Sequence, residues 1–164
     1  MSEETVRLVK EGWRQIGLGE HEKGCFLIHE AIRLEPWNHE HYLTLGCAYC
    51  ASGQPKTGFE YFTYAQLISP DDFRGWYYAG ASIVLYWESH DLLKKEALLN
   101  ALPYFDEATR LKPDDPHVLC SIGKCHEFMY EWAKAARVYE HVLQIEPQFT
   151  TAARRMKMLK SMNN

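Results

Sequence analysis

The stretch that decides the fold is His39–Pro70, HEHYLTLGCAYCASGQPKTGFEYFTYAQLISP. Tyr42, Leu45 and Tyr49 recur three and four residues apart, and so do Gly58, Phe62 and Ala65, which is the spacing of helix faces. Gly46, Gly58 and Ala65 put small residues where two helices approach closely, while the larger residues fill the gaps between them. Pro70 ends the second helix and sets up the next turn. The stretch therefore predicts two antiparallel helices. One such pair cannot bury its own apolar face, so copies must flank it.

Copies are present on both sides. Pro36, Pro70, Pro113 and Pro147 close four units, spaced 34, 43 and 34 residues apart. The first keeps Leu8, Gly12, Gly24, Ile28 and Ala31, with Glu11 and Gln15 off the pattern. The third keeps Trp76, Ala79, Gly80, Ala101, Phe105 and Ala108, but nine extra residues fall between its helices, in Trp87–Asn100. Asp91 is the expected cap of a helical start at Leu92, which predicts a second helix lengthened at its N-terminus and kinked near Pro103. The fourth keeps Leu119, Ile122, Gly123, Ala135 and Tyr139, with His126 and Val142 as departures. After it, TTAARRMKMLKSMNN reads as a ninth, cationic capping helix whose charges solvate the outer face.

This in-phase recurrence resembles the tetratricopeptide repeat (TPR) family and covers nearly the whole chain. The resemblance implies an all-α solenoid, a right-handed superhelix of antiparallel helix pairs. As one TPR domain over 1–164, it divides into repeats at approximately 5–38, 39–72, 73–115 and 116–149 and a cap at 150–162. A narrower resemblance, over YLTLGCAYCASGQPKTGFEYFTYAQLISPDDFRGWYYAG, is to the type III secretion translocator chaperones, small cytoplasmic TPR proteins. The fourth repeat and the insertion depart from that family.

Composition bounds the function. With 46% hydrophobic and 24% charged residues the chain is ordinary globular material, and a net charge of −4 gives no footprint for nucleic acid or an anionic membrane. No apolar run reaches the ~18 residues of a membrane span. The acidic start MSEETVRLVKEG is unlike a signal peptide, so the expected address is the cytoplasm. Five cysteines, an odd number at small helix positions, read as reduced thiols.

No catalytic motif is present: there is no phosphate loop, GxSxG or HExxH, so the chain reads as no enzyme, and no cofactor or metal is expected. Cys47 and Cys50 form a lone CxxC without a second pair of ligands, and Cys120 and Cys125 are not spaced as a ligand pair. His39, Glu40 and His41 open a helix and read as solvated.

The TPR resemblance implies a concave groove lined by the first helix of each repeat. Carried onto this sequence, its partner-binding positions include Val9, Lys10, Trp13, Leu43, Cys47, Cys50, Arg74, Tyr77, Tyr78, Ala81, Cys120, Lys124 and Phe128. That face is apolar and aromatic with isolated cations at Lys10, Arg74 and Lys124. The carboxylate clamp by which some TPR proteins grip acidic chaperone tails is missing, since Val9, Trp13, Thr44 and Tyr78 stand at its positions. The expected function is a non-enzymatic interaction module, scaffold or chaperone-like adaptor holding an extended peptide or helix of another protein. The alternative is a subunit of a homo-oligomer that associates through the same surfaces.

Overall fold

A computed structural model describes residues 2–89 and 94–162, which form helices joined by short turns, with no strand among the described residues. The order is α1 (Glu3–Gly17), α2 (His21–Leu34), α3 (His39–Ala51), α4 (Pro55–Ile68), α5 (Phe73–Ser89), α6 (Lys94–Leu111), α7 (Pro116–Phe128), α8 (Trp132–Ile145) and α9 (Thr150–Met162). None of them is long and apolar enough to cross a membrane.

Neighbours pair antiparallel. Gly46 faces Phe62 while Cys50, one turn later, faces Gly58, one turn earlier; Gly12 with Ile28 and Ile16 with Gly24 repeat the arrangement in α1 and α2. Of the residues that carried the sequence pattern, Phe62, Phe105 and Tyr139 are at most 1% exposed. Each lies against a glycine of the helix before it, Gly46, Gly80 and Gly123 respectively. In α9 the corresponding position is Lys157, an exposed residue too bulky for another helix to dock at that distance. The helix pairs then stack along the chain. First helices meet across pairs, α1 with α3, α3 with α5 and α5 with α7, so they line the inner side of the stack.

The turns between pairs are built by short local devices. Asn38 caps α3 through the Glu40 N–H, and Asp115 caps α7 through the N–H groups of His117 and Val118. Tyr42 donates its hydroxyl to the Pro36 carbonyl at 2.9 Å, and Trp76 donates its indole N–H to the Pro70 carbonyl at the same distance. An aromatic with a polar tip thus fastens two successive turns. Turns within pairs use a left-handed residue: Gly19 at φ 85°, Gly53 at φ 76° and, in the last pair, Tyr130 at φ 62°. A tyrosine there is strained by about 1–2 kcal/mol relative to glycine, which the sequence pattern did not signal.

The extra residues of the third pair lengthen both helices, where lengthening of the second alone was expected. α5 has 17 residues against 13 in α3 and α7, and α6 has 18 against 14 in α2, α4 and α8. Counting from Phe62 and Phe105, Leu98 corresponds to Pro55, and it is 3% exposed. The surplus therefore lies in 86–97, where 87–100 was expected. α6 also runs on through Pro103, which has no N–H to donate to the carbonyl of Leu99, on an exposed turn. The expected cap at Asp91 and start at Leu92 lie outside the described residues. Replacing 86–97 by a three-residue turn like that of Ser52–Gln54 should leave a folded, helical protein by circular dichroism. Global unfolding would show the extra turns to be part of the core.

The cap is more than a solvated end. Arg155 donates to Glu127 at 2.8 Å, and the same carboxylate accepts the Tyr139 hydroxyl at 3.0 Å, so α7, α8 and α9 share one polar contact. Arg154, Lys157 and Lys160 do face solvent.

Candidate functional site

The inner side is richest in aromatic surface on α5. Tyr77 and Tyr78 lie 5.1 Å apart between ring centroids; Tyr78 packs on Phe62 of α4 at 5.4 Å and Tyr77 on Phe105 of α6 at 6.2 Å. Both rings are half-buried, and burial pushes both phenols up, so they stay neutral hydrogen-bonding tips on apolar bodies. Ala81 continues the face one turn on, and Phe128 adds a ring from the end of α7. Cys47 and Cys50 border it from α3. Burial pushes their thiols to about 11 and about 12, which keeps them protonated near neutral pH.

Two of the three cations of this face, Arg74 and Lys124, are not isolated, as the sequence reading had them. Arg74 is forked onto Asp72, with Nε 3.0 Å from Oδ1 and a terminal nitrogen 2.6 Å from Oδ2, and it also reaches both oxygens of Glu40. Lys124 sits 2.5 Å from a Glu88 oxygen and 5.4 Å from the centre of the Phe128 ring. Each charge is thus neutralised by the chain itself. His39 joins the first network through Asp72 at 2.9 Å, and its Nε2 with Glu40 and Asp72 oxygens lies within 4.8 Å of one another. The Arg74 guanidinium is already held by both carboxylates of that cluster.

Other expectations shift with burial. Leu43 and Cys120 are 4% and 8% exposed. Leu43 packs with Phe62, Ala65 and Ala79, and Cys120 with Tyr139 and Met156, so both supply packing and little contact area. His41 is fully buried, not solvated; its Nε2 is 3.0 Å from Glu35, and its Nδ1 has no partner. Val9 is half-buried against the cluster of Ile16 and Leu45, while Lys10 and Trp13 are exposed on α1. The three lie at the start of the stack, apart from the aromatic group on α5. Glu88 and Leu98 were not among the expected residues; the only sequence signal for them was the insertion that carries them.

Three carboxylates hold the junctions between pairs. Hydrogen bonds from Asn38 and the Ser2 N–H hold Glu35 well below the usual carboxylate range. Burial alone would raise Asp72 and Asp115, but contacts from Arg74 and Lys112 outweigh it and lower both. A group whose folded pKa is depressed stabilises fully above its unfolded value, about 4 for a carboxylate. That stability is lost as pH falls through the folded value. The urea midpoint should therefore drop steeply below about pH 4. A midpoint unchanged there would contradict these three contacts.

No family model and no curated protein matches the chain. Solved structures do. TTC0263, a thermophilic TPR protein of Thermus thermophilus, superposes with a TM-score of 0.80 at 18% identity, covering 96% of this chain and 82% of that one. A MamA fragment from Desulfovibrio magneticus gives 0.74 at 17% identity, over 99% and 87% of the two chains. YrrB, described as a TPR protein with an unusual peptide-binding site, gives 0.65 at 18% identity, over 97% and 77%.

Proposed function

We propose that this chain, an all-α solenoid with the fold of tetratricopeptide-repeat proteins, is a non-enzymatic interaction module that holds a segment of another protein against the inner faces of α3, α5 and α7. The observation that carries this reading is the half-exposed aromatic surface of Tyr77, Tyr78 and Phe128 on the side where first helices converge. Such rings supply large contact area at low entropic cost and are common energetic centres of interfaces. The peptide-binding site of YrrB supports the reading by analogy of fold.

The charge arrangement narrows the partner. Arg74 and Lys124 are engaged by Glu40, Asp72 and Glu88, so an acidic tail meets no unpaired cation on α5 or α7 among the described residues. An apolar segment is the better fit. Selection from a displayed library of random peptides tests this. Enrichment of aromatic and aliphatic sequences whose binding persists at high salt is expected, because little of the affinity would be Coulombic. Enrichment of acidic sequences that dissociate in salt would contradict it. Light scattering on the purified protein tests the homo-oligomer alternative. A dimer in which Tyr78 is protected would replace a foreign partner with a second copy.

A further inference from the structure

The extra turns of α5 and α6 wall a cavity. It measures about 260 Å³ and is lined by Val84, Trp87, Glu88, Leu98 and Phe128. Trp87 and Glu88 belong to the four residues by which α5 exceeds α3 and α7, and Leu98 follows the four by which α6 exceeds its counterparts. Val84 and Leu98 form a buried floor. Phe128 closes the side toward α7. Among the described lining residues the one charge, Glu88, is held by Lys124 at 2.5 Å. Val84 and Glu88 also form the wall of a second cavity, about 230 Å³, which opens between Ala81, Leu85 and Ser121 on the inner side. The two cavities are therefore neighbours along one surface.

We propose that the insertion creates an anchor pocket for a large uncharged side chain, aromatic or branched aliphatic, of the segment bound on the inner face. This rests on the groove reading above and specifies what the bound segment must carry. Three features select that occupant. Size comes first: the cavity falls below the roughly 300–1,000 Å³ of small-molecule sites, which suits one side chain better than a cofactor. Charge comes second, since placing an unpaired charge against Val84, Leu98 and Phe128 would strip its water without compensation. Continuity comes third, because the wall shared with the cavity beside Ala81 joins the pocket to the aromatic surface. A long insertion kept as two regular helical turns, with an aromatic on each side of the cavity, is then a specificity element and not a spacer.

The test uses the whole wild-type protein, isotope-labelled, titrated with N-acetyl-phenylalaninamide and separately with N-acetyl-lysinamide and N-acetyl-glutamate amide. Saturable shifts of the Trp87 indole N–H and of the Val84 and Leu98 methyls are expected with the phenylalanine compound alone. No saturable shift there, or equal shifts from the charged compounds, would overturn the proposal. A second arm measures a library-selected peptide on the wild type and on Trp87→Ala, with circular dichroism to confirm the fold. A loss of at least about tenfold is expected on removing such an anchor. Equal binding by both proteins overturns the pocket and leaves the groove reading standing; a peptide bound away from α3, α5 and α7 overturns both.

Discussion

Phe62→Ala is expected to cost about 3–5 kcal/mol, because the ring is 1% exposed and its loss leaves a cavity between α3 and α4. At this chain length that is a fall in melting temperature on the order of 10 °C. The same contact makes a sharper prediction from the other side. A Cβ added at Gly46 would fall 2.5 Å from Phe62 Cε1, 2.7 Å from Cδ1 and 2.9 Å from Cζ. Replacing glycine by alanine within a helix gains about 1 kcal/mol of propensity, while overpacking costs about 1–3 kcal/mol. The buried ring has nowhere to move, so overpacking wins and Gly46→Ala should destabilise. In the Phe62→Ala background the obstruction is gone, and the same Gly46→Ala change should stabilise. Urea denaturation of the four proteins in this cycle reads the sign reversal directly; simple additivity would show that the two residues are not in contact. Gly17→Ala is the matched control, since nothing lies within 4 Å of its added Cβ, and it should stabilise by up to about 1 kcal/mol.

Tyr78→Ala is expected to weaken capture of a library-selected peptide by about 2 kcal/mol, roughly thirtyfold. Tyr78 also packs on Phe62, so some stability is lost with it and helicity must be checked on the same sample. Leu85→Glu separates the two effects. Leu85 is 40% exposed beside Ala81 and Ser121, so its replacement removes little packing but sets a carboxylate on the proposed contact surface. A folded Leu85→Glu protein that binds as well as the wild type would count against the inner face.

The helix pairs were legible because steric periodicity encodes them locally. Gly46 and Phe62, Gly80 and Phe105, and Gly123 and Tyr139 announce a close approach wherever they recur, and no knowledge of distant residues is needed. What stayed hidden depends on how turns and neighbouring helices seat against one another. Arg74 read as a free groove cation because its pairing depends on the turn that aims Asp72 back at it and on Glu40, 34 residues earlier at the equivalent place in the preceding first helix. His41 read as solvated because its burial depends on how α3 seats against the turn holding Glu35. The surplus of the third pair was visible as a length but not as a shape, since helical composition on both sides of residues 90–93 lets either helix, or both, absorb it. Leu43 and Cys120 failed as contact residues for a related reason: helix register says which side a residue faces, not how closely the neighbouring helix covers it.

The central claim, that a partner segment lies on the inner face, is tested most directly by the structure of the protein bound to its tightest library-selected peptide. The peptide is expected along α3, α5 and α7, in contact with Tyr77 and Tyr78, with Arg74 still paired to Asp72 and Glu40. A peptide seated on the outer helices α2, α4, α6 or α8, with Tyr78 untouched, would contradict the account.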